Sequence, residues 1–136
     1  MADPRRARGL VDTSVIIDLE LIEAADLPWE IAVSAITMAE LAAGPHATTD
    51  PAERARRQDR LQRAEATFEP LPVDTAVARA YGRVYAAVGA AGRKAPGRRA
   101  LDLFIAANAV AAGLLLYTRN PHDFAGLSEI LKLVTV

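Results

Sequence analysis

Gly9-Leu10-Val11-Asp12-Thr13-Ser14-Val15-Ile16-Ile17 sets the reading of the whole chain. A short apolar run leads into one acid, two hydroxyl residues and a second apolar run. The first run has the length of a buried strand. The second continues through Leu19, Leu21 and Ile22 as a helix, with Thr13 or Ser14 placed to cap it. Asp12 stands at the joint, where it ends the strand and is itself able to cap the helix.

The same alternation recurs downstream. After a turn at Pro28-Trp29, residues 31–33 read as a second short strand. Ser34 is the N-cap candidate of a helix that stops at Gly44-Pro45 and carries Glu40 in its last part. Pro51 opens a long polar helix to about residue 66, and residues 68–73 read as a proline-interrupted strand, short or at a sheet edge. Asp74 caps a helix over 75–88 whose apolar positions Val77, Ala80, Tyr81, Val84 and Val88 recur with helical period. A glycine-rich basic loop over 89–97 precedes a nearly all-apolar helix, 100–112, ended by Gly113. Residues 114–117 form the clearest buried strand, 118–121 a loop, 121–124 a turn of helix and 131–136 a last strand. Strands alternating with helices predict a parallel, three-layer α/β/α sheet, built as one domain over residues 1–136.

Composition agrees. Of 136 residues, 51% are hydrophobic and 24% charged, a balance that supports a packed core. There is no cysteine, which excludes disulfides and thiolate zinc sites, and His46 and His122 are the only histidines. A metal bound here is therefore held by oxygen, which favours Mg²⁺ or Mn²⁺. Arg5, Arg6 and Arg8 resemble the start of a signal peptide, but Asp12, Asp18 and Glu20 interrupt the stretch that follows. No segment reads as a membrane span, and a cytoplasmic location is expected. Residues 1–50 carry three basic and nine acidic side chains, whereas residues 51–99 carry eleven basic and five acidic. A basic middle beside an acidic region suits a polyanion steered toward a metal site; a solvated helix and a charged loop explain the same asymmetry without one.

Four acids lie at or near the ends of apolar runs: Asp12, Glu40, Asp102 and Asp123. Each has an ordinary explanation. Asp12 can cap a helix, Glu40 can sit on a surface, Asp102 can complement a helix dipole, and Asp123 can occupy a turn. Together they point further. In open parallel sheets, sites form beyond the carboxyl ends of the strands where strand order reverses. The segments bearing Asp12, Glu40 and Asp123 emerge there, and Asp102 joins them if the first turn of its helix reaches that edge. Carboxylates about 5 Å apart repel by roughly 3 kcal/mol per pair, so such a cluster favours a divalent cation. A hydrated Mg²⁺ among carboxylates supports hydrolysis of a phosphodiester.

These segments carry a family resemblance. Leu10-Val11-Asp12-Thr13-Ser14 with Ile17-Asp18, the run from Val33 to Leu41 followed by Gly44, the run from Leu101 to Ala109, and Thr118-Arg119-Asn120-Pro121-His122-Asp123-Phe124 are similar to the motifs of PIN-domain ribonucleases. The match is closest to the VapC-type toxins of type II toxin–antitoxin pairs, and it runs nearly the full length. The resemblance implies a five-stranded parallel sheet, Mg²⁺ or Mn²⁺ dependence and endonucleolytic cleavage of RNA. It implies Asp12, Glu40, Asp102 and Asp123 as catalytic metal ligands, with Asp12 and Asp102 foremost, and supporting roles for Thr13 or Ser14, Thr118 and Asn120. It also implies a homodimer and a small VapB-type antitoxin. The apolar faces of the helices at 14–22 and 36–43 are candidates for the groove that accepts this partner.

Arg93, Lys94, Arg98 and Arg99 flank the loop before Asp102 and are candidate RNA-phosphate contacts, or simply a solvated loop. His46 and His122 read as loop residues rather than ligands. Trp29 is expected to pack, with base stacking the lesser reading, and Tyr81, Tyr85 and Phe104 fit core or dimer contacts. Two other functions remain open from the residues alone. One is a receiver-like signalling domain, with Asp74, Thr118 and Lys132 in loosely suitable places. The other is a catalytically silent module that keeps the fold for binding.

Overall fold

The computed structural model describes residues 7–92 and 99–136. Strands β1 (Arg8–Val11), β2 (Glu30–Ala32), β3 (Leu115–Thr118) and β4 (Leu133–Thr135) form one sheet in the order β2-β1-β3-β4, every pairing parallel. Between them run α1 (Thr13–Ile17), α2 (Ala35–Ala43), α3 (Pro51–Thr67), α4 (Thr75–Ala90) and α5 (Arg99–Ala112).

The two-residue alternation of the strands builds the layers. Leu10, Ala32 and Leu116 face a cluster with Val77, Val84, Leu103 and Ile105, which places α4 and α5 on one side of the sheet. Val11, Val33 and Tyr117 face a second cluster with Val15, Leu41 and Ala64, which places α1, α2 and α3 on the other. Each fully buried Val, Leu or Ile among them contributes about 1.5–3 kcal/mol by leaving water. The expected three-layer α/β/α architecture is the one observed. On the second face, Gly9 lies beneath the ring of Tyr117: a Cβ at this position would stand 2.4 Å from Tyr117 Cε1.

Local signals set the helix ends. Ser34 Oγ accepts from the Ile36 N–H at 3.0 Å and caps α2, and Asp74 Oδ1 accepts from the Val77 N–H at 3.0 Å and caps α4. Asp50 caps α3 beside Pro51. Gly113, at φ 67°, ends α5 in the left-handed region that favours glycine. The cap of α1 is Asp12 rather than Thr13 or Ser14, since Asp12 Oδ1 accepts from the Val15 N–H.

Three expectations need correction. The sheet has four strands, not five, because residues 68–73 contribute only an isolated parallel bridge, Ser34 to Leu71. Leu71 donates to Val33 O at 2.8 Å and accepts from the Ala35 N–H at 2.9 Å, but Pro70 and Pro72 on either side have no N–H to extend the pairing. Helix α1 stops at Ile17 instead of running to residue 22: Asp18 leaves helical geometry and pairs with Arg119 Nε at 3.5 Å, and a 3₁₀ turn, Leu19–Leu21, follows. Trp29, expected to pack, is 79% exposed. Tyr81 does fulfil its core reading, stacked on Phe104 with ring centroids 4.2 Å apart, while Tyr85 remains exposed.

Candidate active site

Strands β1 and β3 are neighbours at the centre of the sheet, and the chain leaves them in opposite directions, from β1 out to β2 and from β3 out to β4. This is the switch point at which parallel sheets place their sites. Asp12 follows the last residue of β1 and Thr118 ends β3, so the strand order alone brings them together.

Asp12 is 4% exposed. Its Oδ1 accepts from the Ser14 hydroxyl at 2.5 Å and the Val15 N–H at 3.1 Å, and its Oδ2 accepts from the Thr118 hydroxyl at 2.5 Å. Both hydroxyls are themselves directed. Ser14 Oγ accepts from the Arg119 N–H at 3.1 Å, and Thr118 Oγ1 accepts from the Asn120 N–H at 2.9 Å. Each hydroxyl therefore uses a lone pair on the loop after β3 and its one hydrogen on the carboxylate. Asn120 makes this contact through its backbone N–H, and the residue is exposed.

Glu40 joins from α2. Its Oε1 accepts from the Thr13 hydroxyl at 2.7 Å, and Thr13 Oγ1 lies 3.0 Å from Thr37 Oγ1, which is fully buried. Thr13 directly follows Asp12, so this one hydroxyl couples the two acid-bearing segments. Neither Asp12 nor Glu40 has a Lys or Arg ion-pair partner among the described residues. A carboxylate buried without a cation is costly.

Asp102 is half-buried in the first turn of α5, a helix packed against α2, β3 and the turn Pro121–Phe124. Asp123 is half-buried in that turn, where its N–H donates to Asn120 O at 3.0 Å and the neighbouring Phe124 is anchored in the core. Among the described residues, no three Asp, Glu or His side chains form a group able to hold a metal ion between them. The observed linkage is Asp12 to Glu40 through Thr13, with Asp102 and Asp123 on the adjoining helix and turn. His46 and His122 are exposed.

Two contributors escaped the sequence reading or were only half seen. Ser14 was an alternative to Thr13 and proves to hold a different acid. Thr37 has the sequence setting of a core residue, although its spacing of three from Glu40 on one helix puts both on the same face. Arg93, Lys94 and Arg98 lie outside the described residues, as does the side chain of Arg99.

Three arginines of the basic middle are paired: Arg56 and Arg57 with Glu53, and Arg63 with Asp59 and Glu20. The hydrogen bonds of Arg56 and then Arg57 hold the Glu53 carboxyl below the usual range, and Glu20 and Asp59 raise Arg63. Arg54 and Arg57 also donate to Pro45 O and Gly44 O, at 3.0 and 2.9 Å. The half-buried Arg60 has no such partner among the described residues, and it lines a cavity of about 260 Å³ with Ile16, Ile17, Leu19 and Phe68. The groove runs between α1 with the turn after it and α3.

The family model of the PIN domain matches residues 9–129. The chain belongs to the PIN-domain family. Within that family this PIN domain is 33% identical over 132 residues to Ribonuclease VapC4 of Mycobacterium tuberculosis, covering 95% of this chain and 97% of the relative. It is 36% identical over 124 residues to Ribonuclease VapC5 of the same organism, covering 89% and 88%. Among solved structures it resembles a member of the VapBC family of toxin-antitoxin systems, VapBC-5, from Mycobacterium tuberculosis. That match has a TM-score of 0.81 at 33% identity and covers 96% and 99% of the two chains. The receiver-like alternative falls with the PIN assignment, and Asp74, its proposed phosphate acceptor, serves as the cap of α4. No described helix is long and apolar enough to cross a membrane.

Proposed function

We propose that this PIN domain is a Mg²⁺- or Mn²⁺-dependent endoribonuclease and the toxin of a VapBC-type toxin–antitoxin pair. One observation carries the reading. Asp12 is a buried carboxylate at the sheet's switch point, held on both oxygens by hydroxyls, with Glu40 tied beside it and no described basic side chain to balance either. The relatives named ribonucleases and the VapBC neighbour support the same class.

The donor set suits the proposed ion, because every candidate ligand is a carboxylate oxygen and Mg²⁺ binds through one or two carboxylates while retaining waters. Asp12, Glu40, Asp102 and Asp123 are the residues that would hold it, with Asp12 and Asp102 foremost. When bound, the ion supplies charge stabilisation at a phosphate oxygen and an acidified water. The chain's own part is to hold the acids still. Ser14 and Thr118 fix the rotation of the Asp12 carboxylate, and Thr13 holds the Glu40 carboxylate. Arg93, Lys94, Arg98 and Arg99 are assigned to the phosphates of the RNA.

The cavity beside α1 and α3 is assigned to a VapB-type antitoxin, whose apolar side chains would meet Ile17, Leu19 and Phe68 and whose acidic groups would meet Arg60. A homodimer is assigned to the α4–α5 face, where Tyr85 and Leu101 are exposed. A cytoplasmic setting follows from an RNA substrate and an intracellular antitoxin.

The test is purified protein on mixed RNA with Mg²⁺, with Mn²⁺ and with chelator. Cleavage that needs the ion and disappears in Asp12→Asn supports the reading. Metal-independent cleavage removes the ion from it, and intact RNA under all three conditions favours the silent binding module.

A further inference from the structure

We propose that Thr37 is a positioning residue for Glu40, acting through the hydroxyl of Thr13. The proposal rests on the nuclease reading for the purpose of the site, and on hydrogen-bond counting for the role of the residue. Thr13 Oγ1 has two neighbours, Glu40 Oε1 at 2.7 Å and Thr37 Oγ1 at 3.0 Å, and a hydroxyl has a single hydrogen. A carboxylate oxygen offers only lone pairs, so the Thr13 hydrogen goes to Glu40 and Thr37 must donate to Thr13. The chain then has one direction: Thr37 to Thr13 to Glu40.

This order matters because Thr13 is the only side chain that hydrogen-bonds Glu40 among the described residues. Left alone, the Thr13 hydroxyl is free to rotate. With one lone pair occupied by Thr37, its hydrogen is aimed at the carboxylate, and a donor that also accepts is the stronger donor. Thr37 is well placed to serve as an anchor. It is fully buried, it stands three residues before Glu40 on α2, and its helix is fixed at the start by the Ser34 cap. Ser34 is fixed in turn by donating to Asn108 Oδ1 of α5 at 2.6 Å, and Asn108 Nδ2 donates to Pro72 O at 3.1 Å. Thr37, which starts the relay, thus stands on a helix whose first turn is tied to α5 and to the segment at Pro72.

The experiment compares wild type, Thr37→Val, Thr37→Ser, Glu40→Gln and the Thr37→Val/Glu40→Gln double variant. Mn²⁺ affinity is read by electron paramagnetic resonance without RNA, cleavage is read separately, and circular dichroism melts establish that each variant is folded. Thr37→Val nearly preserves volume and removes the donor. Its Mn²⁺ dissociation constant is expected to rise roughly five- to tenfold, the worth of one hydrogen bond. Thr37→Ser is expected within about twofold of wild type, since it restores the hydroxyl. In the Glu40→Gln background Thr37→Val should add nothing, which a merely structural role would not produce. Mn²⁺ binding by folded Thr37→Val equal to wild type overturns the proposal, as does an equal effect with and without Glu40. If Thr37→Val does not fold, Thr37→Ser takes its place: weakened binding in that variant, despite its hydroxyl, also overturns it. A wild type that binds Mn²⁺ yet cuts no RNA overturns the ribonuclease reading and leaves this comparison decisive; one that binds no Mn²⁺ overturns both.

Discussion

The hydroxyl of Thr118 donates to Asp12 Oδ2 at 2.5 Å although 106 positions separate them in the chain. Each stands at the carboxyl end of one of the two central strands, so the bond spans the seam where the sheet changes direction. It does two things at once: it ties β1 to β3 beyond their last ladder bond, and it fixes the carboxylate on which the proposed chemistry depends.

Thr118→Val should therefore reduce both stability and activity. Deleting a fully buried donor to a carboxylate is expected to cost about 1.5–3 kcal/mol, measured as a lower midpoint in urea. RNA cleavage should fall by more than the unfolded fraction accounts for. Thr118→Ser should recover most of each. A Thr118→Val protein with wild-type cleavage would remove the residue from the site.

Asp12→Asn should separate folding from function. The amide keeps the shape and one acceptor oxygen but loses the charge that no described basic side chain balances. Metal-dependent cleavage is expected to disappear. The urea midpoint is expected to shift by about 1–2 kcal/mol equivalent, because one hydroxyl that donated to a carboxylate oxygen now faces an amide N–H₂, which only donates, and must turn its hydrogen away. Undiminished cleavage would overturn the metal assignment.

Gly9→Ala tests the packing beneath Tyr117. The added Cβ would meet the ring at 2.4 Å, and overpacking of this kind costs about 1–3 kcal/mol. A lower melting temperature is expected, with partial recovery when Tyr117→Leu is added. Equal melting of wild type and Gly9→Ala would show that the ring can yield.

Arg98→Ala with Arg99→Ala should weaken RNA binding and flatten its dependence on salt, since a phosphate no longer neutralised by a guanidinium keeps its condensed counterion. Binding of a non-cleavable RNA, measured across a salt series in the Asp12→Asn background, checks this. An unchanged slope would exclude both residues from the interface.

The plan of the fold was legible wherever one signal acted alone. Apolar runs bounded by polar turns located all four strands, and Ser34 and Asp74 marked helix starts because a short oxygen side chain just before an apolar helix has few other uses. The reading failed where two signals competed. Residues 68–73 have strand composition, yet their two prolines limit them to one bridge. Residues 15–22 have helical periodicity, yet the α-helix ends at Ile17, Asp18 has left helical geometry and the chain goes on as a 3₁₀ turn. Trp29 was expected to pack because large aromatic side chains usually do, and no pattern in the sequence marks this one as exposed.

At the site, the acids and Thr118 stood out because their motifs are charged or polar ends of apolar segments. The partition of the hydroxyls was hidden. Thr13 and Ser14 are adjacent and chemically alike, and only the three-dimensional path sends one to Glu40 and the other to Asp12. Thr37, inside an apolar helix, has the composition of a core residue.

The bridge at Leu71 has one more consequence. In parallel pairing a residue turns its N–H and C=O to one side and its neighbours turn theirs to the other. Leu71 spends both groups inward on Val33 and Ala35. The outward positions fall to Pro70 and Pro72, neither of which has a hydrogen to give, and the Pro72 carbonyl is already taken by Asn108. An incoming strand finds no donor at Pro70 or Pro72, so this stretch of the border is a poor template for strand addition.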